Sequence, residues 1–285
     1  MYPVRVLEAR ERWTRSGVRL RRVAARRGRW SWLLVPGGPG LGSESLVGLA
    51  QAAGLPGSVW LVDLPGDGSN RDVAGVPSEP YAHWPGCLAE AAEGLDAPVM
   101  IGHSTGGMFL LSVPDLQHHL VGLALVSSAP HAGWRATFAR WAATHPIPGV
   151  DEAADAYARN PNDETLRALT LAAAPWNFTP GGLTRGRALL ERLTYCQDAV
   201  AWADTHFDET YRSRWTPATQ PTLIVSGAQD HVVDQQLWET EAAFRQPHIL
   251  RRTIADAGHL PWIEQPRAVR AAFAELVELL ARRAG

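Results

Sequence analysis

The sequence predicts an α/β fold: a mostly parallel central sheet flanked by helices and interrupted by one helical insertion. Three observations lead there. From Trp30 onward, short apolar segments alternate with longer helix-like ones, the rhythm of strands joined by crossover helices. The apolar segments are continuous and rich in β-branched residues, as strands covered on both faces require. Between His131 and Thr216 the rhythm lapses, and helical patterns broken by prolines and by TPGGLTRG take over.

Each element follows in order. The first thirty residues carry ten arginines interleaved with Val18, Leu20 and Val23, the pattern of an antiparallel hairpin with one solvated face. WSWLLV, centred on 31–35, is the first buried strand, and a helix follows Ser43. SVWLVD (58–63) is the second, followed by an Ala-rich helix around Glu90. APVMIG (97–102) and LVGLALVS (120–127) come next. After the insertion, PTLIVSG (221–227) and HILRRTI (248–254) resume the sheet, and AVRAAFAELVELLARR closes the chain as a helix. Residues 1–130 and 217–285 are thereby expected to form the core. Residues 131–216 are expected to form a helical lid over the carboxyl edge of the sheet, where open α/β sheets place their ligands.

Composition removes several function classes. A chain of 285 residues, 46% of them hydrophobic, can bury a sizeable core. A net charge of −2 gives no reason to expect a nucleic-acid or membrane partner, no segment has the length and apolarity of a membrane span, and the N-terminus lacks the apolar stretch of a signal peptide. A cytoplasmic protein with a small-molecule substrate is the expectation, with the oligomeric state left open. Cys87 and Cys196 lie far apart and in no metal-ligand spacing, so free buried thiols are expected. Every basic side chain apart from histidine is arginine; without a lysine amine, Schiff-base and P-loop chemistry are excluded. No cofactor and no metal are implied.

The segment VMIGHSTGGMFLL is a core strand interrupted by polar residues. Gly102, Ser104 and Gly106 form G-x-S-x-G where a strand meets a helix. The glycines leave room for a sharp turn that pushes Ser104 clear of the sheet, at the positive end of the helix dipole. A serine needs a base to become nucleophilic, and the base needs a carboxylate to hold its tautomer. Asp230 follows one strand and His259 the next, completing the chain order Ser, Asp, His. Asp234 and Asp256 compete for the acid's place, but Asp234 is positioned to start a helix and Asp256 to stabilise a turn. His103 is expected to point aside, and His118 and His119 to mark an exposed helix end.

Four segments, GHSTGG, VDLPGDGSN, SGAQDHVVD and DAGHLPWIEQP, resemble the α/β-hydrolase superfamily over about residues 30–130 and 217–283. PGGPG at 36–40 is similar to the oxyanion loop of the proline iminopeptidase branch, usually HGGPG. Pro36 stands here in place of that histidine, and Thr105 in place of the branch's tryptophan after the nucleophile. The resemblance implies the fold and a serine mechanism, not the aminopeptidase activity. Two N–H groups must hold the oxyanion. One is that of Thr105, directly after the nucleophile. In PGGPG only Gly37, Gly38 and Gly40 carry an N–H, and the family pattern favours Gly38. DLPGDGSN reads as a connecting loop rich in turn residues.

Trp134, Trp141, Trp176 and Phe178, from the aromatic-rich insertion, are the expected pocket walls. Carboxylates such as Glu191, Asp198, Asp204 and Asp208 read as solvated helix faces. The expected function is a serine hydrolase acting through an acyl-enzyme on a small to medium ester, thioester or amide with an apolar group. The alternatives are an iminopeptidase-like aminopeptidase, another reaction of the fold such as C–C hydrolysis or a lyase, and a slow-turnover ligand receptor.

Overall fold

A computed structural model describes residues 10–71 and 79–284. Eight strands form one sheet: β1 (Glu11–Trp13), β2 (Arg19–Ala25), β3 (Ser31–Val35), β4 (Ser58–Asp63), β5 (Pro98–His103), β6 (Gly122–Val126), β7 (Thr222–Gly227) and β8 (Ile249–Ile254). Their spatial order is β1-β2-β4-β3-β5-β6-β7-β8. β3 to β8 run parallel, and only the β1–β2 hairpin and its junction with β4 are antiparallel. Every strand expected from the apolar runs is present within two residues of its predicted ends.

Alternation along β3 shows how the sheet is covered. Trp32 and Leu34 join one cluster with Leu49 of the helix Val47–Ala53 and with Phe273 and Leu276 of the closing helix Pro266–Ala284. Leu33 and Val35 face the other way, against Trp84 and Leu88 of the helix Trp84–Glu93 and Phe109 of the helix Thr105–Ser112. Each such side chain contributes about 1.5–3 kcal/mol by leaving water, so two apolar faces are what the continuous runs encode. Cys87 and Cys196 are free and buried in the second cluster. The hairpin has the expected solvated character: β1 is exposed throughout, and Arg19 and Arg21 pair with the buried Asp63 at 2.8 and 2.6 Å. No helix among the described residues is long and apolar enough to cross a membrane.

Between β6 and β7 the chain forms helices Gly133–Thr144, Val150–Arg159, Asp163–Ala172, Ala174–Asn177, Leu183–Leu190 and Gln197–His206. A bridge between His131 and Arg212 ties the two ends of this segment together. Asn162 starts the third helix with a capping box, accepting from the Glu164 and Thr165 N–H groups. Leu166, Ala174, Phe178, Leu190, Leu193 and Tyr195 join the same cluster as Trp32 and Leu34, so the insertion is packed onto the core beneath it.

Candidate active site

The loops that follow β3, β5, β7 and β8 meet at one edge of the sheet, and each carries a residue singled out from sequence: Gly38, Ser104, Asp230 and His259. β5 ends at His103, and Ser104 turns the chain with φ 50° and ψ −125°, a strained conformation for a residue with a side chain. The turn is held because the Ser104 N–H donates to the Val126 carbonyl at 2.9 Å and its own carbonyl accepts from Gly107 at 3.0 Å. Glycine is required on both sides. A Cβ at Gly102 would sit 2.4 Å from the Gly107 backbone, and one at Gly106 would sit 2.3 Å from the Pro36 carbonyl.

Ser104 opens onto a cavity of about 180 Å³ whose walls include Gly37, Gly38, Thr105, Trp134, Leu190, Leu193, Val232 and His259. Gly38 has φ +117°, within the region that favours glycine, and the Gly38–Pro39 peptide is cis. The Thr105 hydroxyl donates to the Gly38 carbonyl at 3.2 Å, which fixes the β3 loop against the helix start. As the first residue of its helix, Thr105 has a backbone N–H with no intrahelical acceptor. In the DLPGDGSN loop, Asp67 is buried and accepts from Gly68 at 2.7 Å and weakly from Gly40 at 3.5 Å. Burial pushes its carboxyl up to about 6, against the pull of those two N–H groups.

His259 Nδ1 lies 3.0 and 3.1 Å from the two carboxylate oxygens of Asp230, whose side chain is fully buried. Asp230 Oδ1 also accepts from the Val232 and Val233 N–H groups at 3.1 and 3.0 Å, so the carboxylate is held from behind while it faces the imidazole. The two competing acids lie elsewhere. Asp234 accepts from Gln236 N–H at 2.9 Å, and Asp256 is exposed with φ 54°.

Two residues at the site carry more than their sequence context indicated. His103 does not simply point aside: it lines the cavity, its ring stacks edge-on against Trp262, and its Nε2 is 3.2 Å from the His259 carbonyl. Burial, reinforced by His259, holds the His103 imidazole well below its ordinary pKa, hence neutral, with Nε2–H the donor in that contact. Glu264 is buried and accepts from Gly258 N–H at 2.6 Å, from Thr179 N–H at 2.9 Å and from the Thr179 hydroxyl at 2.5 Å. The His259 N–H in turn donates to the Asn177 carbonyl at 2.8 Å. The histidine loop is therefore clamped to the insertion. Nothing in IEQP marks Glu264 in advance, because its partners are backbone groups brought in by the fold.

Of the four aromatics expected to wall the pocket, Trp134 lines it. The other three are placed differently. Trp141 stacks between His145 and His231, with both centroids 4.4 Å away. Trp176 packs edge-on against Phe138 and donates to the His145 carbonyl, and Phe178 is buried in the core cluster against Gly186. These rings are consumed by packing the insertion together and by seating it on the core, Trp141 against His231 and Phe178 in the cluster that contains Trp32 and Leu34. Asp198 and Asp204 are exposed as expected, whereas Asp208 is largely buried 3.8 Å from Arg135, and burial pushes its carboxyl up to about 6. No group of three or more His, Cys, Asp or Glu side chains among the described residues is arranged to hold a metal ion.

A family model described as "Alpha/beta hydrolase family" matches residues 27–272. The pimeloyl-[acyl-carrier protein] methyl ester esterase of Xanthomonas oryzae pv. oryzae (strain MAFF 311018) is 26% identical over 241 residues, 76% of this chain and 83% of the relative. Among solved structures, a proline iminopeptidase-related protein from Thermus thermophilus superposes with a TM-score of 0.72 at 20% identity, covering 96% of this chain and 99% of that one. A thermophilic esterase from Thermogutta terrifontis does so at 0.65 with 21% identity, covering 95% and 98%. At such identities the two structures speak to the fold alone.

Proposed function

Because the chain belongs to the α/β-hydrolase family, we propose that it is a serine hydrolase in which Ser104, His259 and Asp230 act as the triad on a carboxylic ester or thioester. The observation that carries this reading is the contact of 3.0 Å between His259 Nδ1 and a fully buried carboxylate, on a ring that shares one small cavity with Ser104. In the cycle Ser104 Oγ attacks the carbonyl carbon as His259 Nε2 takes its proton. The Gly38 and Thr105 N–H groups receive the negative charge on the carbonyl oxygen. Collapse expels the leaving group, protonated by His259, and water activated by the same imidazole releases the acyl-enzyme. Asp230 keeps the Nδ1–H tautomer and offsets the imidazolium charge.

Esters are favoured over aminoacyl substrates because none of the residues lining this cavity is acidic, so a substrate ammonium would enter without a counter-charge. The relatives include a methyl ester esterase, which agrees with a small leaving group for this chain. Labelling with a fluorophosphonate tests the mechanism: modification at Ser104, abolished in Ser104→Ala, is the expected result. An unlabelled protein that still binds esters would instead be a receptor built on the same fold.

A further inference from the structure

A second, open cavity of about 650 Å³ lies between the helix Val47–Ala53, the segment around Trp262 and Ile263, and the end of the insertion helix Leu183–Leu190. It adjoins the first, for Leu193 forms part of both walls. Val47, Leu189 and Ile263 make its sides apolar, and three arginines line it: Arg185, Arg192 and Arg270. Arg270 is fixed, donating to the Gln51 and Ala52 carbonyls at 3.2 Å each. Arg185 and Arg192 are exposed and form no ion pair with another described residue. The one carboxylate on the wall, Glu44, is engaged through Oε1 by Arg21 at 2.7 Å, while its buried Oε2 has no hydrogen-bond partner. The indole N–H of Trp262, buried in the same wall, has no acceptor.

Arginines on a solvated helix face need no partner. Here the helix Leu183–Leu190 and the turn just past it supply Arg185 and Arg192, the closing helix supplies Arg270, and all three line one apolar cleft that abuts the nucleophile's cavity, so the gathered positive charge favours a compact anion. We propose that this cleft holds an anionic group, carboxylate or phosphate, at the far end of the substrate's acyl chain, whose apolar part passes Leu193 to reach Ser104. The inference rests on the serine hydrolase reading above.

The test compares p-nitrophenyl hemi-esters of C4 to C10 dicarboxylic acids, and ω-phosphate esters of the same lengths, with neutral monocarboxylate esters. At one chain length an anionic series should exceed the neutral one in kcat/KM, through a lower KM, since a distal contact is made equally in ground and transition states. Whichever anion is preferred identifies the headgroup. Arg185→Gln and Arg192→Gln should each reduce that anionic-to-neutral ratio about threefold to fivefold. High salt should reduce it too. Arg159→Gln, at an exposed arginine that lines neither cavity, should leave the ratio unchanged. Hydrolysis of neutral esters with a ratio at or below one at every length, or a ratio indifferent to both substitutions, overturns the cleft assignment alone. Failure to hydrolyse any ester, together with no labelling at Ser104, overturns the hydrolase reading and this inference with it.

Discussion

Changing Asp230 to Asn removes one charge and adds two hydrogens in a place where neither is tolerated. The carboxylate is fully buried, with both oxygens within 3.1 Å of His259 Nδ1. An amide can keep its oxygen toward the Val232 and Val233 N–H groups, but its NH2 then faces the imidazole and stabilises the tautomer with the proton on Nε2, which cannot accept from Ser104. The imidazolium of the transition state also loses its partner. At a charge separation near 4 Å and an effective dielectric of about 20 that loss is about 4 kcal/mol, or about a thousandfold in rate, and the tautomer penalty adds to it. We expect kcat/KM for an aryl acetate to fall by about three to four orders of magnitude. The melting temperature should move by only a few degrees, because both backbone donors stay satisfied. A loss below tenfold, or an Asp256→Asn variant that is the more damaged at unchanged melting temperature, would refute the assignment of Asp230.

Three further outcomes follow from contacts described above. Gly106→Ala places a methyl 2.3 Å from the Pro36 carbonyl, so a chemical melt should show about 3 kcal/mol or more of lost stability; a loss under 0.5 kcal/mol would mean that the turn has slack. Glu264→Gln turns an NH2 toward either Gly258 or Thr179 and should cost about 1–3 kcal/mol in the same assay, with a larger loss for Glu264→Ala. Burial raises the Asp208 carboxyl from 3.8 to about 6, so its ionisation opposes folding. That contribution is absent below pH 4, grows as pH rises to about 6, and is constant above; Asp208→Asn should therefore gain about 1–3 kcal/mol over the parent at pH 8 and lose that advantage by pH 4. An advantage independent of pH would show that burial of the charge is not its source.

The sheet was legible because its strands are buried on both faces and so are continuously apolar, and Gly102 and Gly106 were legible because backbone contacts at 2.3–2.4 Å admit no other residue. Asp230 and His259 could be picked out as polar residues just beyond apolar strands, where a parallel sheet gathers its loops. The placement of the insertion's aromatics was not legible. Apolar spacing shows that Trp141, Trp176 and Phe178 belong to a helical segment, but it does not show which helix covers which, and the rings found partners both within the insertion and in the core beneath it. His103 and Glu264 escaped for a related reason, since the groups they serve, the His259 carbonyl and the Gly258 N–H, carry no side-chain signature.

The clamp formed by Asn177, Thr179 and Glu264 bears on how such proteins diversify. The His259 backbone hangs from the Asn177 carbonyl, and a Cβ at Gly258 would meet that same carbonyl at 2.5 Å, so the segment above and the loop below are fitted to each other at main-chain level. A graft that imports another hydrolase's insertion wholesale would therefore import a foreign seat for the histidine. Recombination breakpoints placed between residues 145 and 170 would renew the outer helices while leaving that seat native, and chimeras cut there should retain turnover where those cut at the ends of the insertion do not.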